Sequence, residues 1–216
     1  MKLKELEMFL QDIEGFRQPK IQYEQYNTGH HIGARMLFSM NSFDDIEHKS
    51  ILDLGIGCGR LGIGCAFLGA SYVLGIDIDS DALAQCAENC STIRDDSEDE
   101  SMLTNLDLIQ GDICDDQFCS KLNQRFQVVV MNPPFGTKNN KGIDMLFLKR
   151  GIDVALESVY SLHKTSTREH ILKKCADWRV KKVEILAQLR YDLPNSYVFH
   201  KKRSKDIEVD FYRIEK

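Results

Sequence analysis

The chain is short of several things, and each shortage removes a class of protein. Of its 216 residues only four are proline (Pro19, Pro133, Pro134, Pro194) and one is tryptophan (Trp178). That excludes polyproline and collagen-like architectures. The longest uncharged stretch, residues 61–76, is 16 residues and is interrupted by glycines and a serine, too short and too broken for a membrane helix. Residues 1–7 alternate Lys and Glu with leucine and lack the apolar core of a secretory signal. The seven cysteines are odd in number and contain no Cys-x-x-Cys pair, which predicts reduced thiols in a cytosolic or nuclear protein. Cys86 and Cys90 stand at i, i+4 spacing, but with no second pair nearby small buried side chains are expected rather than metal ligands.

What is present reads as a single globular domain over 1–216, with a helical extension over 1–45. Hydrophobic residues make up 43% and charged residues 28%, ordinary values for a packed core. The formal net charge of −5 hides a split. Residues 1–136 carry 10 Lys and Arg against 22 Asp and Glu, whereas residues 137–216 carry 18 against 11. A basic C-terminal part fits a polyanionic partner meeting one face.

Leu3, Leu6, Leu10 and Ile13 form one stripe of a first helix, with Gly15 available to stop it. A second helix is expected after Thr28 as N-cap, presenting Ile32, Met36, Leu37 and Met40. From Ser50 onward strands alternate with helices. Strands are expected at 50–54, 72–76, 106–109, 128–131 and 158–162, and helices at 61–68, 80–90, 144–155 and 166–177. Such alternation predicts a mostly parallel sheet covered on both faces. Strands 183–189 and 207–212 have no helix between them, so they are expected as antiparallel neighbours. The run 95–100 holds five acids in six residues and reads as a solvated loop.

Asp53-Leu54-Gly55-Ile56-Gly57-Cys58-Gly59 follows the first strand and opens a helix. Alternating glycines let the backbone turn sharply and approach a ligand, and the helix N-terminus then faces it. Asp77 ends the second strand and can accept from both hydroxyls of a ribose. Asp112 and Ile113 follow the third strand. Gly57-Cys58-Gly59-Arg60-Leu61-Gly62 also fits the dinucleotide pattern G-x-G-x-x-G, so this loop alone leaves a nicotinamide or flavin enzyme open. The D-x-G-x-G-x-G form resembles the S-adenosylmethionine loop of class I methyltransferases.

Asn132-Pro133-Pro134-Phe135 is the most specific signal. Two prolines stiffen the loop and remove backbone donors, which leaves the Asn132 and Pro133 carbonyls and the Asn132 side-chain oxygen as acceptors beside the Phe135 ring. The lone pair of an exocyclic amine is delocalised into its ring. Acceptors gripping its hydrogens can orient the nitrogen and stabilise the charge that develops as a methyl group arrives. The motif resembles that of amino methyltransferases acting on adenine N6, cytosine N4 or glutamine N5. A protein glutamine N5-methyltransferase and a non-catalytic S-adenosylmethionine-binding scaffold of ribosome assembly therefore stand as alternatives.

A wider likeness covers nearly the whole chain. Glu24-Gln25-Tyr26-Asn27-Thr28, the stretch from Val130 to Gly142, Tyr160-Ser161-Leu162-His163-Lys164 and Arg190-Tyr191-Asp192-Leu193-Pro194 resemble the methyltransferase-like protein 5 family, eukaryotic N6-adenosine methyltransferases of 18S ribosomal RNA. The resemblance implies an α/β fold of the class I S-adenosylmethionine-dependent type, a Rossmann-like mostly parallel sheet with an antiparallel C-terminal strand. It implies S-adenosylmethionine contacts at Gln25, Thr28, Gly55, Gly57, Cys58, Asp77, Asp112 and Ile113, and an acceptor loop from Asn132 to Phe135. It also implies a heterodimer with a small zinc-binding methyltransferase activator subunit paired along a sheet edge, 18S ribosomal RNA as partner, and residence in nucleus and cytoplasm. Lys138, Lys141, Lys201, Lys202 and Arg203 are candidates for the RNA backbone, and His163 for the substrate pocket, where a structural histidine is the competing reading. Two departures stand out. The family commonly has Pro where this chain has Asn27 and Arg-Pro at Gly29-His30, and the acidic run 95–100 looks like an insertion.

Overall fold

The computed structural model describes residues 1–97, 102–122, 125–136, 140–194 and 204–216. Helix α1 (Leu3–Gln11) and helix α2 (His30–Ser42) precede the first strand. The alternating part follows as β1 (Ser50–Leu54), α3 (Arg60–Phe67), β2 (Tyr72–Asp77), α4 (Ser80–Asp95), β3 (Leu106–Gln110), α5 (Asp116–Ser120), β4 (Phe126–Met131), α6 (Ile143–Val154), β5 (Ala155–Lys164) and α7 (Arg168–Asp177). The chain closes with β6 (Lys182–Pro194) and β7 (Ser204–Glu215). The seven strands form one sheet in the order β3-β2-β1-β4-β5-β7-β6. The five strands from β3 to β5 are parallel, and β7 runs antiparallel to both β5 and β6.

Side-chain alternation along the strands sorts the core into two layers. Ile51, Val73, Val128 and Val130 face one side and pack with Leu6, Leu10, Leu37 and Ile63. Leu52, Leu74, Val129 and Met131 face the other and pack with Leu148, Ile152 and Ile171. The N-terminal helices thus cover one face of the sheet, and α6 with α7 the other.

Several expected boundaries move. Gly29, not Thr28, is the N-cap of α2, because the Thr28 hydroxyl is taken by Asn132 across the sheet end. The first helix stops at Gln11, ahead of Gly15. Helix α5, five residues capped by the Asp115 carboxylate, is too short for a helical period to register in the sequence. Strands β6 and β7 outrun the expected segments because each continues the pairing of the other. Of the acidic run, Asp95 ends α4, and residues 98–100 lie outside the described residues.

A buried carboxylate fastens the C-terminal strands to the N-terminal part. Asp45 Oδ2 accepts from Ser158 Oγ (3.1 Å), Tyr160 OH (2.6 Å), Arg213 Nε (3.2 Å) and Arg213 Nη2 (3.1 Å). Arg213 also pairs with Glu215 Oε1 (2.5 Å) and Glu184 Oε2 (3.6 Å), so without Asp45 its charge stays compensated while the Ser158 and Tyr160 hydroxyls lose a buried acceptor. Asp45→Ala is expected to lose about 1–3 kcal/mol, read as a lower urea midpoint at unchanged m-value.

Candidate active site

The carboxyl ends of β1, β2 and β4 meet on one side of the sheet. After β1 the chain turns through Gly57 (φ +54°) and Gly59 (φ +96°) into α3, a region that side chains larger than hydrogen rarely adopt. A Cβ at Gly57 would lie 2.9 Å from the Phe16 ring, and one at Gly59 would lie 2.5 Å from Cys86 Sγ. The loop is therefore shaped to its neighbours as well as to a ligand.

Asp77, at the end of β2, braces this loop. Its Oδ2 accepts the Gly57 N–H (2.9 Å) and its Oδ1 accepts the Asp79 N–H (2.9 Å). Burial pushes its carboxyl above the usual range, and these amide bonds oppose that. Asp79 in turn accepts from Lys20 Nζ (2.5 Å) and Gln25 Nε2 (2.6 Å), which ties the segment between α1 and α2 over the strand ends. Against burial, Lys20 and Gln25 hold the Asp79 carboxyl below the usual range.

The eight residues expected around a cofactor, Gln25, Thr28, Gly55, Gly57, Cys58, Asp77, Asp112 and Ile113, all line one cavity of about 280 Å³, together with Asn132 and Pro134. Burial pushes the Cys58 thiol up to about 12, so it stays protonated and is no nucleophile. Asp53 also borders the cavity. Its Oδ2 is buried with no hydrogen-bond partner. Burial, aided by Asp77 and opposed by the Gly62 amide, pushes its carboxyl up to about 7.

Asn132 holds the most informative geometry. Its Nδ2 donates to Thr28 Oγ1 (2.8 Å) and to Tyr191 OH (2.9 Å). The single Tyr191 hydroxyl proton goes to the Asn27 carbonyl (2.9 Å), so toward Asn132 the phenol oxygen can only accept. This fixes the amide with nitrogen toward Tyr191 and leaves Oδ1, buried and without a partner. Pro133 is buried outside the cavity lining. The Phe135 ring, expected as a stacking face, is buried edge-on against Tyr191 (5.4 Å, 86°), and its carbonyl accepts from Lys164 Nζ at 3.0 Å.

The RNA candidates divide. Lys141 is exposed beside Asn140, which borders the cavity. Lys138, Lys201, Lys202 and Arg203 lie outside the described residues. His163 is fully buried on β5, with Nε2 2.8 Å from Ser161 Oγ and its ring edge-on to Tyr212. It is not among the residues around the cavity, a placement that matches the structural alternative. Two residues that the sequence reading did not single out also matter. Tyr191 lies in the stretch 190–194 that carries the resemblance but has no site role assigned to it from sequence, and Arg60 lies inside the glycine motif without one.

Comparison with known proteins bears on this arrangement. Residues 25–132 match the family model for ribosomal protein L11 methyltransferase (PrmA). The rRNA N(6)-adenosine-methyltransferase METTL5 of Danio rerio is 53% identical over 99% of this chain and 99% of its own length. The chain belongs to the rRNA N6-adenosine-methyltransferase family. The Drosophila melanogaster member is 46% identical over 100% of this chain and 97% of its own. Among solved structures, a candidate RNA methyltransferase from Pyrococcus horikoshii superposes with a TM-score of 0.83 at 31% identity, over 100% of this chain and 98% of that one. The fold is accordingly that of S-adenosylmethionine-dependent methyltransferases, and the cavity residues suit that cofactor. The glycine turn lets the backbone close on it, Asp77 offers acceptors for hydroxyls, and the Asp53 carboxyl, whose Oδ2 has no partner, suits a cationic group.

Two predictions follow from this geometry. The native Asp53 carboxyl keeps its proton to about pH 7, whereas in the unfolded chain it releases it near 3.8. The group thus loses the native state stability as pH rises from about 4 to 7. Asp53→Asn is expected to melt with the parent below pH 4 and increasingly above it by pH 8, by at most about 4 kcal/mol, measured as thermal midpoints of the ligand-free proteins. Tyr191→Phe is expected to lower turnover about tenfold, the scale of one hydrogen bond, while the Kd for S-adenosylhomocysteine by calorimetry stays the same.

Proposed function

We propose that this chain transfers a methyl group from S-adenosylmethionine to N6 of an adenosine in 18S ribosomal RNA. The carrying observation is the buried, unpartnered Oδ1 of Asn132, its amide locked by Thr28 and Tyr191. An acceptor held in this way demands an N–H donor, and a planar exocyclic amine supplies one. When bound, S-adenosylmethionine supplies an electrophilic methyl on a sulfonium.

The chain does the rest by position and charge. Asn132 Oδ1 accepts a hydrogen of N6 and turns the nitrogen toward the donor. Its dipole is preorganised for the positive charge that grows on nitrogen, so no reorientation is needed as the methyl transfers. The Tyr191 and Thr28 oxygens keep it from rotating. Asp77 receives ribose hydroxyls of the cofactor at the end of β2. The target adenine must be unpaired or flipped, since a stacked base cannot present N6 to a buried acceptor.

The same reading includes a small zinc-binding activator subunit paired along a sheet edge, and residence in both nucleus and cytoplasm. Support for the pairing comes from β3, which ends the sheet and carries Ile109 exposed, with Ile78 exposed after β2. An open strand edge with apolar side chains is normally covered. The exposed Lys141 near the cavity suits a phosphate backbone.

Incubation of the protein, co-expressed with its activator, with methyl-labelled S-adenosylmethionine and ribosomal RNA is expected to place label in N6-methyladenosine. Label in protein glutamine instead, or none in RNA, overturns the reading. Asn132→Ala is expected to keep its affinity for S-adenosylhomocysteine while transfer falls about 10²-fold or more. A parallel fall of binding and turnover would remove the role given to Asn132.

A further inference from the structure

The charges around the cavity are lopsided. Among the described residues, five carboxylic side chains border it, Glu14, Glu24, Asp53, Asp77 and Asp112, and a single cationic one, Arg60. Arg60 is the first residue of α3. Its Nη1 donates to the Thr28 carbonyl at 2.6 Å, its Nη2 donates to the Ile13 carbonyl, and its Nε is buried with no hydrogen-bond partner. Among the described residues it makes no ion pair. A guanidinium does not shed its charge at any ordinary pH, and taking it out of water without a counter-ion is unfavourable. Two carbonyl bonds use two of its five N–H donors. The arrangement is that of a cation tied to two backbone carbonyls and lacking an anion.

We infer that Arg60 receives the carboxylate of the methionyl group of S-adenosylmethionine, an inference that rests on the cofactor proposed above. That cofactor carries two cationic centres, the sulfonium and the ammonium, and one anion. The acids around the cavity suit the cations and the hydroxyls, and among the described residues Arg60 is the cationic side chain there that suits the carboxylate. Its place agrees. With the ribose at Asp77 and the adenine beside Asp112 and Ile113, the methionyl end falls toward the start of α3. Thr28 connects the two ends of the chemistry: its hydroxyl accepts from Asn132 and its carbonyl accepts from Arg60. A carboxylate drawn to Arg60 would therefore set how far the sulfonium stands from the Asn132 acceptor.

The competing role is a purely structural tie between residues 13 and 28, and binding separates the two. The full-length protein is titrated calorimetrically with S-adenosylmethionine and with its decarboxylated analogue. The parent is expected to prefer the carboxylate-bearing ligand about tenfold or more, the scale of a charge-assisted hydrogen bond. Arg60→Met is expected to bind both ligands within about twofold of each other, and Arg60→Lys to recover part of the preference. A parent that binds the two ligands equally overturns the inference whatever the variants do. So does an Arg60→Met protein, folded by circular dichroism, that keeps the parent's preference. A parent that binds neither ligand removes the cofactor reading itself, a result distinct from both.

Discussion

The proton of one phenol decides how the Asn132 amide is turned. Because the Tyr191 hydroxyl donates to the Asn27 carbonyl, its oxygen must accept from Asn132, and the Asn132 amide is forced to turn its own oxygen the other way. Three parts of the chain far apart in sequence meet in that arrangement: the loop before α2, the loop after β4, and β6. None of the three could orient the amide alone. The stiffness of Pro133 and Pro134 places the Asn132 backbone, but a side-chain amide can still flip by half a turn at little energetic expense. Its neighbours decide which end faces the reacting nitrogen.

Around that acceptor the cavity is graded in charge. The acids at the ends of β1 and β2 are buried enough that their protons are held more tightly than in water, with Asp53 near neutrality. Such groups answer strongly to a bound cation, which would draw the proton off and gain an ion pair in poor solvent. The glycine turn brings backbone rather than side chains to the ligand, and Gly57 is fixed in place by the carboxylate of Asp77. One side chain thus both braces the loop and borders the cavity.

Much of this was legible in the sequence, for definite reasons. Strands β1 and β2 are short apolar runs ending in glycine or acid, β4 is an apolar run followed by Asn132, and helices follow in order, so the parallel sheet and the convergence of Gly57, Asp77 and Asp112 can be read directly. Asn132-Pro133-Pro134-Phe135 is a local signal needing no tertiary knowledge. Tyr191 was not legible as a site residue, because its role depends on β6 lying so that it reaches Asn27, a contact spanning 164 positions. Arg60 was hidden by the glycines flanking it. The burial of Phe135 could not be foreseen, and for His163 the sequence left the pocket and the structural reading open, since an aromatic or imidazole ring reads the same whether it faces a ligand or a core. Thr28 was misread as a helix cap because its hydroxyl could serve a nearby amide equally well, until Asn132 competed for it.

The position of β7 carries a consequence for how the protein comes into being. The last strand made is wedged between β5 and β6, and its Arg213 closes on Asp45 across 168 positions. Loops of that span are slow to close and gain nothing until both ends exist. On a translating ribosome the first five strands can assemble while β6 has no neighbour to pair with. Tyr191 therefore has nothing to hold it against Asn132 until the C-terminal dozen residues emerge. The Asn132 amide is oriented by the final stretch of chain, so a nascent or C-terminally clipped molecule has the glycine loop in place while that amide stays unfixed.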